Sequence, residues 1–420
     1  MKKTTKKISA LLLAAVMTVS LAACGKTAPP APNSSESAPT SDGGAGQSAD
    51  KNTGSTGSFD LATTEFLYTG EFRDGYAWAQ PRDGKVSLID KKGNIKFQVD
   101  KASIKDSSFE NGVGYIDGKI MDLDGNVTYT LNTNSDDDGI AEKMIMQGSD
   151  KFLIERRTKN MKENSTKFTV IDKNGVDLVK PIEVESDSDP WFHLGEGIFC
   201  QQYGYNSNGY NCNYILNPNT GASLTLPKLE GNEVRGFGEQ CKAEGGKAWG
   251  HDVSSDRDRK LVLYDLATME EIKTIQAEDA LSISGISGKT AYINDAAYDL
   301  SGNKIADFPI NGYKDTPIVY IGEYSDDGYV PVILRGKDGS AYITYLDKSG
   351  NERFSPIKIS SDYQPDDKVC TPTHFISRVE GSTVTLYDNS GAATKTEISL
   401  GSGIELFEDY IISNGKYYFF

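Results

Sequence analysis

The feature that most constrains this chain is one short turn written many times over. It appears as Asp90-Lys91-Lys92-Gly93-Asn94, Asp122-Leu123-Asp124-Gly125-Asn126, Asp172-Lys173-Asn174-Gly175, Asp299-Leu300-Ser301-Gly302-Asn303, Asp347-Lys348-Ser349-Gly350-Asn351 and Asp388-Asn389-Ser390-Gly391. Aspartate opens such a turn by accepting from backbone amides two residues on, and glycine supplies the positive φ that closes it. Degenerate copies at Asn217-Pro218-Asn219-Thr220-Gly221 and Asp265-Leu266-Ala267-Thr268 fill the gaps. Alternating apolar and polar residues flank each turn, so the chain reads as a succession of hairpins and the fold class as all-β.

A second repeat precedes the turns. Tyr68-Thr69-Gly70-Glu71-Phe72-Arg73-Asp74-Gly75-Tyr76-Ala77 recurs, with one insertion, as Tyr320-Ile321-Gly322-Glu323-Tyr324-Ser325-Asp326-Asp327-Gly328-Tyr329-Val330. Weaker echoes start at Phe109 and Phe407. Phe59-Asp60-Leu61-Ala62-Thr63-Thr64-Glu65 nearly repeats Tyr264-Asp265-Leu266-Ala267-Thr268-Met269-Glu270, so Asp60 is a marker as well. From Asp60 to Asp388 the eight intervals span 328 residues, a mean of 41, which is the size of a propeller blade of three to four short strands. The chain stops at Gly415-Lys416-Tyr417-Tyr418-Phe419-Phe420, where the next turn is due, so its last unit lacks an outer strand and its first segment is a spare one. The two together predict a β-propeller closed by N- and C-terminal strands, which removes exposed sheet edges. Dividing the 362 residues from Phe59 by about 45 per four-stranded blade predicts eight blades, within a range of seven to nine. A twisted open β-array is the alternative.

The pattern Phe-x-x-Gly-x-Ala, then Gly-Lys, then Ile-Asp-x-x-Gly-Asn, best seen from Phe72 to Asn94, resembles the WG repeat of bacterial proteins. Val86-Ser87 stands where that family has its Trp-Gly pair. The resemblance implies a β-repeat architecture and carries no activity with it.

The N-terminus supplies an address. Lys2, Lys3, Lys6 and Lys7 precede the apolar run Leu11-Leu12-Leu13-Ala14-Ala15-Val16-Met17, too short to span a bilayer and suited to a secretory signal. Leu21-Ala22-Ala23-Cys24-Gly25 resembles the lipobox of bacterial lipoproteins, which implies cleavage after residue 23 and a diacylglycerol on Cys24. Residues 25–58 number 34, of which 26 are Gly, Ser, Pro, Ala or Thr and none is large and apolar. Such a segment is a tether with a reach of roughly 30–35 Å. Its length resembles the tethers of Gram-positive surface lipoproteins, so the expected location is the outer face of the cytoplasmic membrane. The domain plan is signal peptide 1–23, lipidated cysteine and tether 24–58, and β-repeat domain 59–420.

Charge and chemistry narrow the function. Formal charge is −16, and removal of residues 1–23 takes four lysines and no acid, leaving 40 basic against 60 acidic groups. That field repels phosphate backbones, so no nucleic-acid partner is expected. His193, His251 and His374 fall in three separate units, without the spacing a zinc site uses. Ser284-Gly285-Ile286-Ser287-Gly288-Lys289-Thr290 looks like a phosphate loop, but Ile283 replaces its first glycine, and a turn between strands is the reading. Asn134-Ser135-Asp136-Asp137-Asp138-Gly139 begins like a calcium loop, yet Ile145 stands where a bidentate Glu belongs. Asp187-Ser188-Asp189 has the same ambiguity. Neither a metal nor a cofactor is expected, and no catalytic residue is assigned.

Cys200, Cys212, Cys241 and Cys370 permit three pairings; Cys200 with Cys212 is the most local, and free thiols are the alternative. Between and beside the first pair, Tyr203, Tyr205, Asn206, Asn208 and Tyr210 form the densest tyrosine and asparagine cluster in the chain. Tyrosine faces with amide partners suit a sugar or a peptide, although alternate tyrosines also suit a strand pair with no ligand. The expected function is a membrane-anchored binding or scaffold module for a carbohydrate, cell-wall or protein ligand. A polysaccharide hydrolase on the same scaffold would gather acidic or histidine side chains from different units, and an envelope assembly factor would show an apolar patch on one face.

Overall fold

The computed structural model describes most residues from Ser58 to Phe420; residues 1–57 and several loops, among them 134–138, 185–189, 207–208 and 362–368, lie outside it. The proposed lipid site Cys24, the calcium-like Asn134 to Asp138 segment and Asn208 therefore lie outside the described residues.

The aspartate turns do what their chemistry requires. In the first, Asp90 Oδ1 accepts from the amides of Lys92 (2.8 Å) and Asn94 (2.9 Å), while Gly93 takes φ +82°. Asp122, Asp299 and Asp347 repeat both contacts at 2.8–3.0 Å. Asp265 accepts from Ala267 and Thr268, and Met269, at φ +60°, takes the left-handed conformation one residue later than the glycine of the six regular copies.

Each turn joins the third and fourth strands of one antiparallel sheet, and the sheets follow one another as blades. Blade 1 holds β2 (Phe66–Thr69), β3 (Tyr76–Pro81), β4 (Val86–Asp90) and β5 (Ile95–Val99). Blade 2 holds β6 (Ser108–Glu110) to β9 (Val127–Thr130), blade 3 β10 (Ile140–Gly148) to β13 (Ile182–Glu183), and blade 4 β14 (Trp191–Gly195), β15 (Ile198–Asn206), β16 (Gly209–Asn217) and β17 (Ala222–Thr225). Blade 5 runs from β18 (Val234–Gly236) to β21 (Glu271–Gln276), blade 6 from β22 (Gly285–Ser287) through β23 (Thr290–Ile293) to β25 (Lys304–Asp307), and blade 7 from β26 (Ile318–Ile321) to β29 (Ile357–Ser360). Blade 8 has three strands among the described residues, β30 (His374–Ser377) to β32 (Ala393–Ser399), with a single bridge between Cys370 and Phe375 at its inner edge.

Blade 9 closes the ring. Its β33 (Ile404–Leu406), β34 (Tyr410–Ser413) and β35 (Lys416–Phe419) take a fourth strand from the start of the fold, β1 (Ser58–Asp60), in the register Ser58 to Tyr418, Phe59 to Tyr417 and Asp60 to Lys416. The fold is thus the expected all-β propeller, and the open array is excluded. Nine blades replace the expected eight because blades 2 and 6 fit four strands of three or four residues between Ser108 and Thr130 and between Gly285 and Asp307. Dividing length by a standard blade misses units this compact.

The core lies between blades rather than in one centre. Phe66, Phe72, Ala77, Ala79 and Ile89 of blade 1 pack with Tyr410, Tyr417 and Phe419 of blade 9. Aromatic side chains also reach across seams to bond backbone: Tyr410 Oη accepts from Phe72 N (3.2 Å), Trp78 Nε1 donates to Ser108 O (2.8 Å), and Tyr345 Oη donates to Thr371 O (2.7 Å). Buried aromatics with a polar tip thereby fix the angle between neighbouring blades.

Candidate functional site

Strand direction alternates within each blade, so the turns between first and second strands share a face with the aspartate turns, and the hairpins between second and third strands lie on the opposite face. On the first face a cleft of about 840 Å³ runs along the turns of blades 5 to 9. A volume of this size lies in the range of small-molecule and peptide sites.

The cleft wall begins with the segment that resembled a phosphate loop. Gly288 and Lys289 form the turn between β22 and β23, and Gly288 N donates to Gln240 O (2.7 Å) while Lys242 N donates to Gly288 O (3.0 Å). Gly288 has φ +57°, and a Cβ there would come within 2.3 Å of the Glu323 carboxyl carbon, so glycine is required for Glu323 to lie against the turn. Lys242 Nζ pairs with that carboxylate at 2.7 Å, and Lys289 Nζ pairs with Glu244 at 2.7 Å. The hydrogen bond that Lys289 donates to Glu244 holds its ammonium above the ordinary pKa.

Blade 7 supplies the floor and the far wall through the turn that carries the inserted residue. Ser325 Oγ donates to Tyr329 O (2.8 Å), which shapes the turn, and Asp327 accepts from Ser325 and from Arg353, whose guanidinium lies 4.3 Å from the Tyr329 ring centre. Burial alone would raise the Asp327 carboxyl, but Ser325 and Arg353 hold it below the usual carboxylate range. Asn389 Nδ2 sits 3.4 Å from both Asp327 Oδ1 and Pro372 O, and so ties blade 8 to this turn. Burial pushes the Tyr324 phenol up to about 12 and the Cys370 thiol to about 12, so both lining groups stay neutral at physiological pH.

Two carboxylates complete the cleft. Asp326 and Glu408 are exposed, and among the described residues neither forms an ion pair with a cation; Asp326 acts on Lys289 only through space. A smaller pocket of about 320 Å³ adjoins the cleft, sharing Gln240, Ser287 and Tyr320, and is lined by Ile286, Ile318, Val319 and Ile321.

The tyrosine and asparagine cluster lies elsewhere. β15 and β16 form a hairpin of two nine-residue strands, with Tyr203 opposite Asn211, Tyr205 opposite Tyr210, and Asn206 opposite Gly209. It joins second and third strands, so it leaves the ring on the face opposite the cleft. The Cys200–Cys212 bridge is not formed: all four cysteines of the fold are free and buried. A register shift between Gln201 and Gln202 sets Cys200 opposite Ile215 and Cys212 opposite Gln202. The two cysteines are therefore not cross-strand partners, and each stays a thiol. Burial, with Cys212 alongside, pushes the Cys200 thiol well up. The three histidines fall in β14, β19 (Lys247–Ser255) and β30, in three different blades.

The cleft residues were missed because each is an ordinary turn residue in its own unit. One signal was present: the extra residue in Tyr324-Ser325-Asp326-Asp327-Gly328, relative to Phe72-Arg73-Asp74-Gly75, marks the widened turn that lines the cleft.

No family model matches the chain, and no curated protein matches it. Among solved structures it is similar to BamB from Moraxella catarrhalis (15% identity, TM-score 0.36, 81% of this chain and 98% of that one). It is likewise similar to the uncharacterized protein lmo1340 from Listeria monocytogenes (12%, 0.35, 85% and 94%) and to the WD40 domain of SCAP from fission yeast (9%, 0.34, 80% and 98%).

Proposed function

We propose that this propeller is a binding or scaffold module, held by a lipid on Cys24 to the outer face of a Gram-positive cytoplasmic membrane, and that it presents the cleft face to a protein, peptide or cell-wall ligand. The observation that carries this reading is the cleft itself, whose walls come from successive blades and are fixed by inter-blade bonds before any ligand arrives. Preorganised walls reduce the ordering cost of binding. Its carboxylates do gather from different blades, as a hydrolase requires. However, Asp327 is tied to Arg353 and shifted down, the opposite of what a general acid needs. Binding is therefore favoured over hydrolysis.

The lipobox-like run and the Gly/Ser/Pro-rich segment support the anchoring. The first strand enters blade 9 with Ser58 at the Tyr418 end of β35, on the same face as the turn 407–409. An array of cell-wall fragments, glycans and peptides, probed with the full-length protein, tests the reading: selective retention supports it, whereas turnover of a polysaccharide without retention favours the hydrolase. Labelling cells with a palmitate analogue should mark the protein and leave Cys24→Ala unmarked; equal labelling of both removes the anchor.

A further inference from the structure

We infer that the cleft takes an extended peptide in which a basic side chain neighbours an apolar one. The inference rests on the binding reading and names the ligand class for that same site. Three observations carry it. The cleft and its adjoining pocket form two connected compartments of about 840 and 320 Å³, joined at Gln240, Ser287 and Tyr320. They differ in chemistry. The smaller is walled by isoleucine and valine, whereas the larger carries four carboxylates, Glu323, Asp326, Asp327 and Glu408, against two ammonium groups.

Ion pairing settles the sign of the larger compartment. Lys242 is held by Glu323 and Lys289 by Glu244, so neither cation is left for an anionic ligand. Asp327 is held by Arg353. Asp326 and Glu408, from blade 7 and blade 9, remain exposed with no ion pair among the described residues. A ligand ammonium or guanidinium at either would gain a charge-assisted contact without breaking an existing one. An acidic ligand would meet uncompensated like charge there, which disfavours it. The strongly negative protein adds long-range attraction for a cation. Tyr320 stands at the junction, where an aromatic ring serves an apolar side chain on one side and a cation on the other.

The test uses the full-length protein and a fluorescein-labelled hexapeptide of alternating leucine and lysine, read by anisotropy at two salt concentrations. Replacing lysine by glutamate in the peptide, or leucine by serine, should weaken binding at least tenfold. Asp326→Asn with Glu408→Gln should weaken the Leu/Lys peptide at least fivefold. Asp117→Asn with Glu270→Gln removes the same charge from exposed sites outside the cleft and should change binding less than twofold. Failure of the Leu/Lys peptide to bind the unmodified protein overturns the inference, as does equal weakening by the two double substitutions, which would mean attraction to overall charge only. Indifference to the leucine-to-serine change overturns the apolar half. Circular dichroism of each variant confirms that the blades are intact. Retention of some other ligand on the array, with the peptide silent, would leave the binding reading standing and this one refuted.

Discussion

Phe72→Ala probes ring closure at a single side chain. Phe72 belongs to blade 1 and is 5% exposed, yet its ring neighbours are Tyr410, Tyr417 and Phe419 of blade 9, at centroid distances of 5.8, 5.4 and 5.0 Å. All three contacts are edge-on, the geometry that adds about 0.5–1.5 kcal/mol per pair beyond area burial. Removing a buried phenylalanine in such a place costs about 3–5 kcal/mol through lost transfer energy and the cavity left behind. In an open array Phe72 would face water, and the substitution would cost within about 0.5 kcal/mol of nothing. Urea denaturation followed by tryptophan fluorescence separates these values. A double-mutant cycle with Phe419→Ala adds a direct measure of contact, with an expected coupling of about 1 kcal/mol. A loss below 1 kcal/mol with no coupling would refute closure through this seam.

Three further outcomes follow from the same structure. A chain beginning at residue 61 lacks β1 and leaves the β35 edge open, so it should self-associate with concentration in light scattering, while a chain beginning at residue 53 should not. Asp338 is held at about 2 by the Ser340 amide and hydroxyl, and its folded pKa lies below the unfolded value near 3.9; hydrogen bonds from Asn126 also hold Asp122 low. These groups contribute stability that is complete above about pH 4 and is lost as pH falls through the folded values, so the urea midpoint should fall from pH 4 towards 2; a flat profile contradicts this. In a Cys24→Ala protein no thiol should react with a maleimide in the native state and four should react in denaturant; two or fewer would show that bridges form after all.

How much of this was legible depends on how local the chemistry is. The aspartate turns were readable because Asp90 and its copies make all their bonds within five residues. The closing strand was readable because Phe59 to Glu65 repeats a segment whose role in blade 5 is complete, leaving the first copy without a sheet of its own. Blade number was not, since strand length is set by packing between blades, and the compact blades 2 and 6 break the average. The register shift at Gln201, which sets Cys212 opposite Gln202, has no sequence marker. The cleft was invisible for a different reason: Lys242, Glu323, Asp326 and Glu408 line one cavity only because blades 5 to 9 curve round it, and nothing in the spacing of residues 166 apart announces that.

The most direct test of the account is amide hydrogen exchange of the full-length protein with and without the ligand that the array retains. Binding at the cleft predicts slowed exchange in the turns 286–289, 322–328, 371–374 and 407–410, with the hairpin 198–217 on the opposite face unchanged. Protection confined to that hairpin, with those turns unaffected, would contradict the account.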